Sequence, residues 1–415
     1  MCPRTWCACR SASSTSTTSS PTSTRRWPPA SELSTIATGY VETQRVVLFG
    51  EDDPLRLRGG GVLRHVEVAY ETYGELSPER DNAIFICHAL TGDAHAAGLH
   101  LGAKKRGWWD NLIGHGKAID TERFFVISAN LLGGCSGTTG PLSIDPATGA
   151  AYAMDFPLLH MSDLVTVHRA LMRHLGVDRL HAAVGGSLGG MQVLQWAIDA
   201  PEEIERAVVV AASSRLTTEN IAFSAVGREA IMNDPQFHGG RYAEHGVVPA
   251  HGQKVARMMA HITYVSAAAL AKKFGHERDS APGEMTMAPD FAVEHYLQHQ
   301  GNVFLDRFDA LSYLYLSRLL DYFDPFADPD TETQLRGTAT RFRVLSFDSD
   351  WRFDTAQSRR MVDELRRLGV AVDFDELHSV HGHDSFLLEP PGYHDAIRSF
   401  VEDLPQPVVE RAEVR

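Results

Sequence analysis

The chain has 415 residues, 43% of them hydrophobic and 22% charged, and a formal net charge of −14. That length and apolar content suit one large folded domain with an insertion, or two modest domains, while the acidic balance argues against a nucleic-acid binder, which carries a basic patch or stripe. No apolar run approaches the ~20 residues that cross a bilayer, so no membrane partner is expected.

Residues 1–34 are rich in Ser, Thr and Pro and nearly free of aliphatic side chains. They lack the apolar stretch of a secretory signal and read as a disordered tail or a misplaced start. Cys2, Cys7 and Cys9 lie there without a second pair or a nearby His cluster, leaving Cys87 and Cys135 in the body. Neither a metal site nor a disulfide framework is expected, and a cytoplasmic location fits this cysteine usage.

From about Thr43 short β-branched or aromatic runs appear, at 45–50, 66–74, 82–90, 123–130, 181–186, 207–214, 341–347 and 372–377. Several are continuously apolar, as strands covered on both faces must be. Helical patterns run over 161–176, 188–200, 355–369 and 392–404, the first with Ser162 as its N-cap and Gly176 just past its end. Strands alternating with helices predict a mostly parallel, doubly wound sheet. Residues 216–335 break the alternation and read as a helical cap inserted after the sixth or seventh strand. The core is then 43–215 and 336–405, with a tail at 406–415.

Within AAVGGSLGGMQVLQWA, Gly185-Gly186-Ser187-Leu188-Gly189 is a G-x-S-x-G pentapeptide between a strand and a helix. That context predicts a nucleophile elbow, hence an α/β-hydrolase fold with a mostly parallel central sheet and an inserted helical cap. Ser187 then stands exposed on a strained turn at the positive end of a helix, with the Leu188 N–H aimed at an oxyanion. A phosphate-binding turn would need a G-x-G-x-x-G order, which GGSLGG lacks.

The partners should follow in the order Ser, acid, His. Asp348, Asp350 and Asp354 lie behind one late strand, and His378, His381 and His383 behind the last. Periodicity does not choose within either set. The second oxyanion donor should come from the loop after an early central strand, where NAIFICHALTGD makes the Leu90 N–H the candidate. His88, early in the chain, reads as packing beside the hole rather than as the base.

ICHALTGDAH, GWWDNLIGHGKAIDT, LLGGCSGTTGP, VGGSLGGMQVLQW, NIAF, ARMMAHITY and GHDSFLL resemble the homoserine O-acyltransferases of methionine biosynthesis, in order from about Tyr70 to Leu388. The resemblance implies that Asp350, in Ser-Asp-Trp, is the acid and that His383, in Gly-His-Asp, is the base. It implies Asp384 as partner of the homoserine amino group, Arg257 as a bidentate partner of its carboxylate, and a homodimer. Acyl-CoA and L-homoserine are then the substrates, with no metal or prosthetic group. Arg352, after Asp350-Trp351, is similar to the succinyl-using members, whose second carboxylate needs a cationic partner. HALTGDAH resembles the acetyl-type loop instead. Succinyl-CoA is favoured; acetyl-CoA as donor, serine as acceptor and a plain esterase or thioesterase are the alternatives.

Overall fold

The computed structural model describes residues 39–404. The expected tails at 1–34 and 406–415 and the three N-terminal cysteines lie outside the described residues.

The chain builds β1 (Gln44–Phe49), a two-residue hairpin of β2 (Leu55–Arg56) and β3 (Val62–Leu63), then β4 (Val66–Tyr73), β5 (Ala83–Cys87) and β6 (Phe125–Ala129). It continues through α1 (Met161–His174), β7 (Leu180–Gly186), α2 (Leu188–Asp199) and β8 (Ile204–Val210). Between β8 and the next strand lie six α-helices, with short 3-10 turns among them: α3 (Thr218–Met232), α4 (Ala250–Tyr264), α5 (Ala267–Phe274), α6 (Ala292–Leu305), α7 (Ala310–Asp321) and α8 (Asp330–Leu335). β9 (Arg341–Phe347), α9 (Thr355–Arg367), β10 (Val372–Leu377) and α10 (Tyr393–Val401) close the chain.

One eight-stranded sheet runs β1-β4-β6-β5-β7-β8-β9-β10. β1 pairs antiparallel with β4, and β4 antiparallel with β6. Every pair from β6 to β10 is parallel. The sequence of β5, AIFIC, is buried at every position, as a strand with helices on both faces must be. The sheet divides the apolar interior in two. One layer holds Phe85, Trp196 and the inner faces of α1, α2 and α9. The other holds Trp109, Phe347 and the inner face of α10. In a doubly wound sheet the loops beyond the carboxyl ends of the strands are where a site forms, and the β5, β7, β9 and β10 ends all point that way.

Ser162 is not the cap of α1. His160 precedes the first helical residue, and its N–H donates to Asp163 Oδ2 at 2.7 Å. The Arg58 N–H is 2.8 Å from the same carboxylate. An ionised carboxylate is the stronger acceptor for orphan amides at a helix start; the Ser162 hydroxyl instead accepts from the Arg58 guanidinium at 3.3 Å.

Candidate active site

β7 delivers the chain straight into Ser187, which adopts φ 58°, ψ −125° before α2 begins. Positive φ at a non-glycine is strained and persists only where the surroundings enforce it. They do so here: the Ser187 N–H donates to Val210 O at 2.9 Å, tying the turn to the end of β8. A Cβ on Gly185 would lie 2.3 Å from the carbonyl of Gly189, and one on Gly189 would lie 2.0 Å from Cys87 O. The two outer glycines of the pentapeptide are therefore demanded by close approach of α2 to β7 and β5.

Ser187 Oγ lies 2.9 Å from His383 Nε2. His383 Nδ1 is 2.7 Å from Asp350 Oδ2. The other carboxylate oxygen accepts the N–H groups of Arg352 at 3.0 Å and Phe353 at 2.9 Å. With Asp350 acting only as an acceptor, the hydrogen belongs on Nδ1 and Nε2 faces the serine hydroxyl as a base. Asp350 is 2% exposed and His383 3%, so this chain of three groups is shielded from water.

The other members of each set are engaged elsewhere. Asp348 pairs with the exposed His378 at 2.6 Å and accepts the Ser379 N–H. Asp354 caps α9, accepting the Gln357 N–H at 2.9 Å. His381 is exposed, its backbone N–H on Ser379 Oγ.

Leu188 is the first residue of α2, so its N–H has no partner within the helix. Leu90 lines a narrow cavity together with Phe223, Met259, Tyr264, Tyr313 and Arg352. His88 is 1% exposed and uses Nε2 to accept the Leu131 N–H at 3.1 Å; it shores up the loop that carries Leu90.

Arg352 is 8% exposed. Its guanidinium has one hydrogen-bonded side chain among the described residues, Thr263, at 2.9 Å, and lies 5.4 Å from the Tyr264 ring centre. Arg257, on α4, stacks 4.6 Å over Phe304 and 5.7 Å from Tyr264, and its Nε has no partner among the described residues. Burial lowers its pKa, and the charge of Asp384 acts the other way. Burial raises the Asp384 carboxyl, against the pull of His383 and Arg257. The structure thus gathers Ser187, Asp350, His383, Asp384, Arg257 and Arg352 at one end of the sheet.

Two further side chains at this site carry no signal in the sequence. Tyr264 stands 5.9 Å from the His383 ring and touches both arginines; it lies inside ARMMAHITY but bears no motif of its own. Gln192 sits one turn into α2, where helical periodicity gives no hint of a buried amide.

An α/β-hydrolase-fold family model matches residues 82–385. A homoserine O-succinyltransferase from a Nocardioides species is 76% identical over 88% of this chain and 98% of its own. The chain belongs to the homoserine O-acyltransferases. Another member of this family, the homoserine O-succinyltransferase of Magnetococcus marinus, is 52% identical over 88% of this chain and 95% of its own. A homoserine O-acetyltransferase structure from Bacillus anthracis superposes with a TM-score of 0.80 at 29% identity, covering 87% of this chain and 98% of that one. The family therefore includes donors of both kinds, and the acyl pocket has to distinguish them.

Proposed function

We propose that the protein transfers the succinyl group of succinyl-CoA to the γ-hydroxyl of L-homoserine, through an acyl-enzyme on Ser187, in methionine biosynthesis. The observation that carries the donor assignment is Arg352: a buried guanidinium beside Leu90 with, among the described residues, a single neutral side-chain partner. A buried cation without a counter-charge is costly. The free carboxylate of a succinyl group would supply that charge, whereas an acetyl methyl would leave it unpaired. The 76% identical succinyltransferase supports the same reading.

In the first half-reaction His383, oriented by Asp350, takes the Ser187 proton while Oγ attacks the thioester carbonyl. The Leu90 and Leu188 N–H groups hold the oxyanion. The C–S bond breaks, and the proton passes from His383 to the departing CoA sulfur. Homoserine then enters, its carboxylate on Arg257 and its ammonium on Asp384. His383 takes the γ-hydroxyl proton, the new ester bond forms, and Ser187 leaves with that proton. All charges and protons balance among the substrates and these side chains, so acyl-CoA is a co-substrate and the scheme calls for no metal or prosthetic group. The helices inserted after β8 would keep water from the acyl-enzyme, as transfer rather than hydrolysis requires.

A cytoplasmic setting and a homodimer belong to the same proposal. The free thiols of Cys87 and Cys135 suit a reducing compartment. Val226, Val255 and Val303 expose apolar surface on α3, α4 and α6, and a mass measured in solution at one protomer would remove the dimer.

Thiol release from succinyl-CoA or acetyl-CoA, with and without L-homoserine, tests the assignment. The expected result is homoserine-dependent release with succinyl-CoA preferred, and an Arg352→Leu variant about 10²-fold or more poorer with succinyl-CoA, since orphaning one side of a buried charge pair costs about 2–5 kcal/mol. Preference for acetyl-CoA would overturn the donor assignment. Release indifferent to homoserine would make the protein a thioesterase, and transfer to L-serine in its place would change the acceptor.

A further inference from the structure

The Leu188 and Leu90 amides come from different elements, one from the start of α2 and one from the loop after β5. Among the described residues one side chain hydrogen-bonds to both elements. Gln192 is fully buried, and its Nε2 donates to two carbonyls, His88 O at 3.0 Å and Leu188 O at 3.2 Å. Leu188 carries one oxyanion amide; His88 lies two residues before the other. Both carbonyls only accept, so the NH2 end of the amide must face them. The remaining oxygen, Oε1, is 2.9 Å from His168 Nε2.

His168 comes from α1 and is 1% exposed, packed 4.8 Å from the Phe85 ring and 6.0 Å from Trp196. Burial pushes its pKa down to about 4, against the hydrogen bond it donates to Gln192, so the imidazole is neutral at physiological pH. Its one hydrogen must sit on Nε2, because Gln192 Oε1 can only accept. Nδ1 is left without a hydrogen-bond partner among the described residues. A buried amide loses its hydration unless its groups are paired, and each of these pairings either fixes the turn or fixes the amide that fixes it.

We infer that Gln192, itself held by His168, is a positioning residue that sets the spacing of the two oxyanion amides. The inference rests on the Leu90–Leu188 reading of the oxyanion hole, and it goes beyond the triad and the substrate contacts. An apolar side chain of the same length would fill the space but would leave the β5 loop free to drift from α2. The cost would fall on the transition state, in which the oxyanion forms, rather than on the bound substrates.

The test uses Gln192→Met and His168→Phe, with two CoA thioethers as probes. Trifluoroacetonyl-CoA can form a tetrahedral alkoxide with Ser187, and acetonyl-CoA binds without forming one. Gln192→Met should lower kcat by about 10–100-fold, somewhat less than loss of an oxyanion donor outright. The inhibition constant of trifluoroacetonyl-CoA should rise by the same factor as kcat/KM falls, while the KM for homoserine and the acetonyl-CoA constant stay within about threefold. His168→Phe should give the same pattern at smaller size, and it decides the matter alone if Gln192→Met does not fold. Equal weakening of both probes, or unchanged trifluoroacetonyl-CoA binding, would overturn the role of Gln192. If the unsubstituted enzyme fails to prefer the fluorinated probe, the oxyanion-hole reading itself falls, and this inference with it.

Discussion

Asp384 illustrates how the surroundings of one side chain set its working range. Burial raises its carboxyl, and it must be ionised to hold an ammonium group. Because the raised value brings protonation on at a higher pH, homoserine binding should weaken on acidification before an ordinary Asp, near about 3.9, would titrate. The expected outcome is a KM for homoserine that climbs as pH falls while the KM for acyl-CoA stays flat, and an Asp384→Asn variant whose high KM no longer depends on pH. A homoserine KM flat down to about pH 4 would contradict the role. At this scale the sequence was legible only in part. Spacing and order pointed to Ser187 and to two clusters of three, but the choice among Asp348, Asp350 and Asp354 depends on which one meets His383 across 33 residues. That is a property of two loops folded together, and only the family resemblance reached it.

The nucleophile turn is held by its neighbours rather than by its own sequence. Gly189 touches the carbonyl of Cys87 from the adjacent strand, at a spacing that leaves no room for a methyl group. Gly189→Ala should therefore destabilise the protein by several kcal/mol, as overpacking against backbone does, read as a fall in the thermal midpoint; a midpoint unchanged within a degree or two would contradict that fit. The acid loop is pinned in the same manner. Arg352 O accepts Asn220 Nδ2 from α3 at 2.7 Å and Gln357 Nε2 from α9 at 3.0 Å, so the inserted helices help fix the segment that presents Asp350. Elements as such were readable: continuous apolar runs marked β5, β7 and β8 because both faces are covered. The start of α1 departs from the expected Ser162 cap because the carboxylate of Asp163, one residue further on, outcompetes that hydroxyl. The short β2–β3 hairpin, at two residues per strand, has no periodicity to detect.

Over the whole molecule, buried imidazoles contribute to the loss of stability in acid. Burial lowers His88, His168, His181, His261 and His394, His168 to about 4 and His261 to about 3. Unfolding returns each to an ordinary value near about 6.5. Since the folded values are depressed, the unfolded chain takes up protons first, and stability is lost as pH falls from about 6.5 toward the folded values. His95 opposes this in part: Glu71 holds it above its usual value, a contribution present at low pH and lost as pH rises through the folded value. The carboxyls of Asp163, Asp199, Asp309 and Asp384, raised by burial, act on the same side as His95, so the imidazole share is read from a variant: His261→Phe should lose less of its calorimetric midpoint between about pH 6.5 and 4 than the unsubstituted protein, and an equal loss would contradict it.

The proposed reaction passes through a succinyl group carried on Ser187 Oγ. Intact-mass measurement of the protein mixed with succinyl-CoA in the absence of homoserine, followed by peptide mapping, tests it most directly. The expected result is one succinyl adduct on the peptide bearing Ser187, discharged when L-homoserine is added and absent from Ser187→Ala. An adduct on another residue, or none on a protein that still makes O-succinylhomoserine, would contradict it.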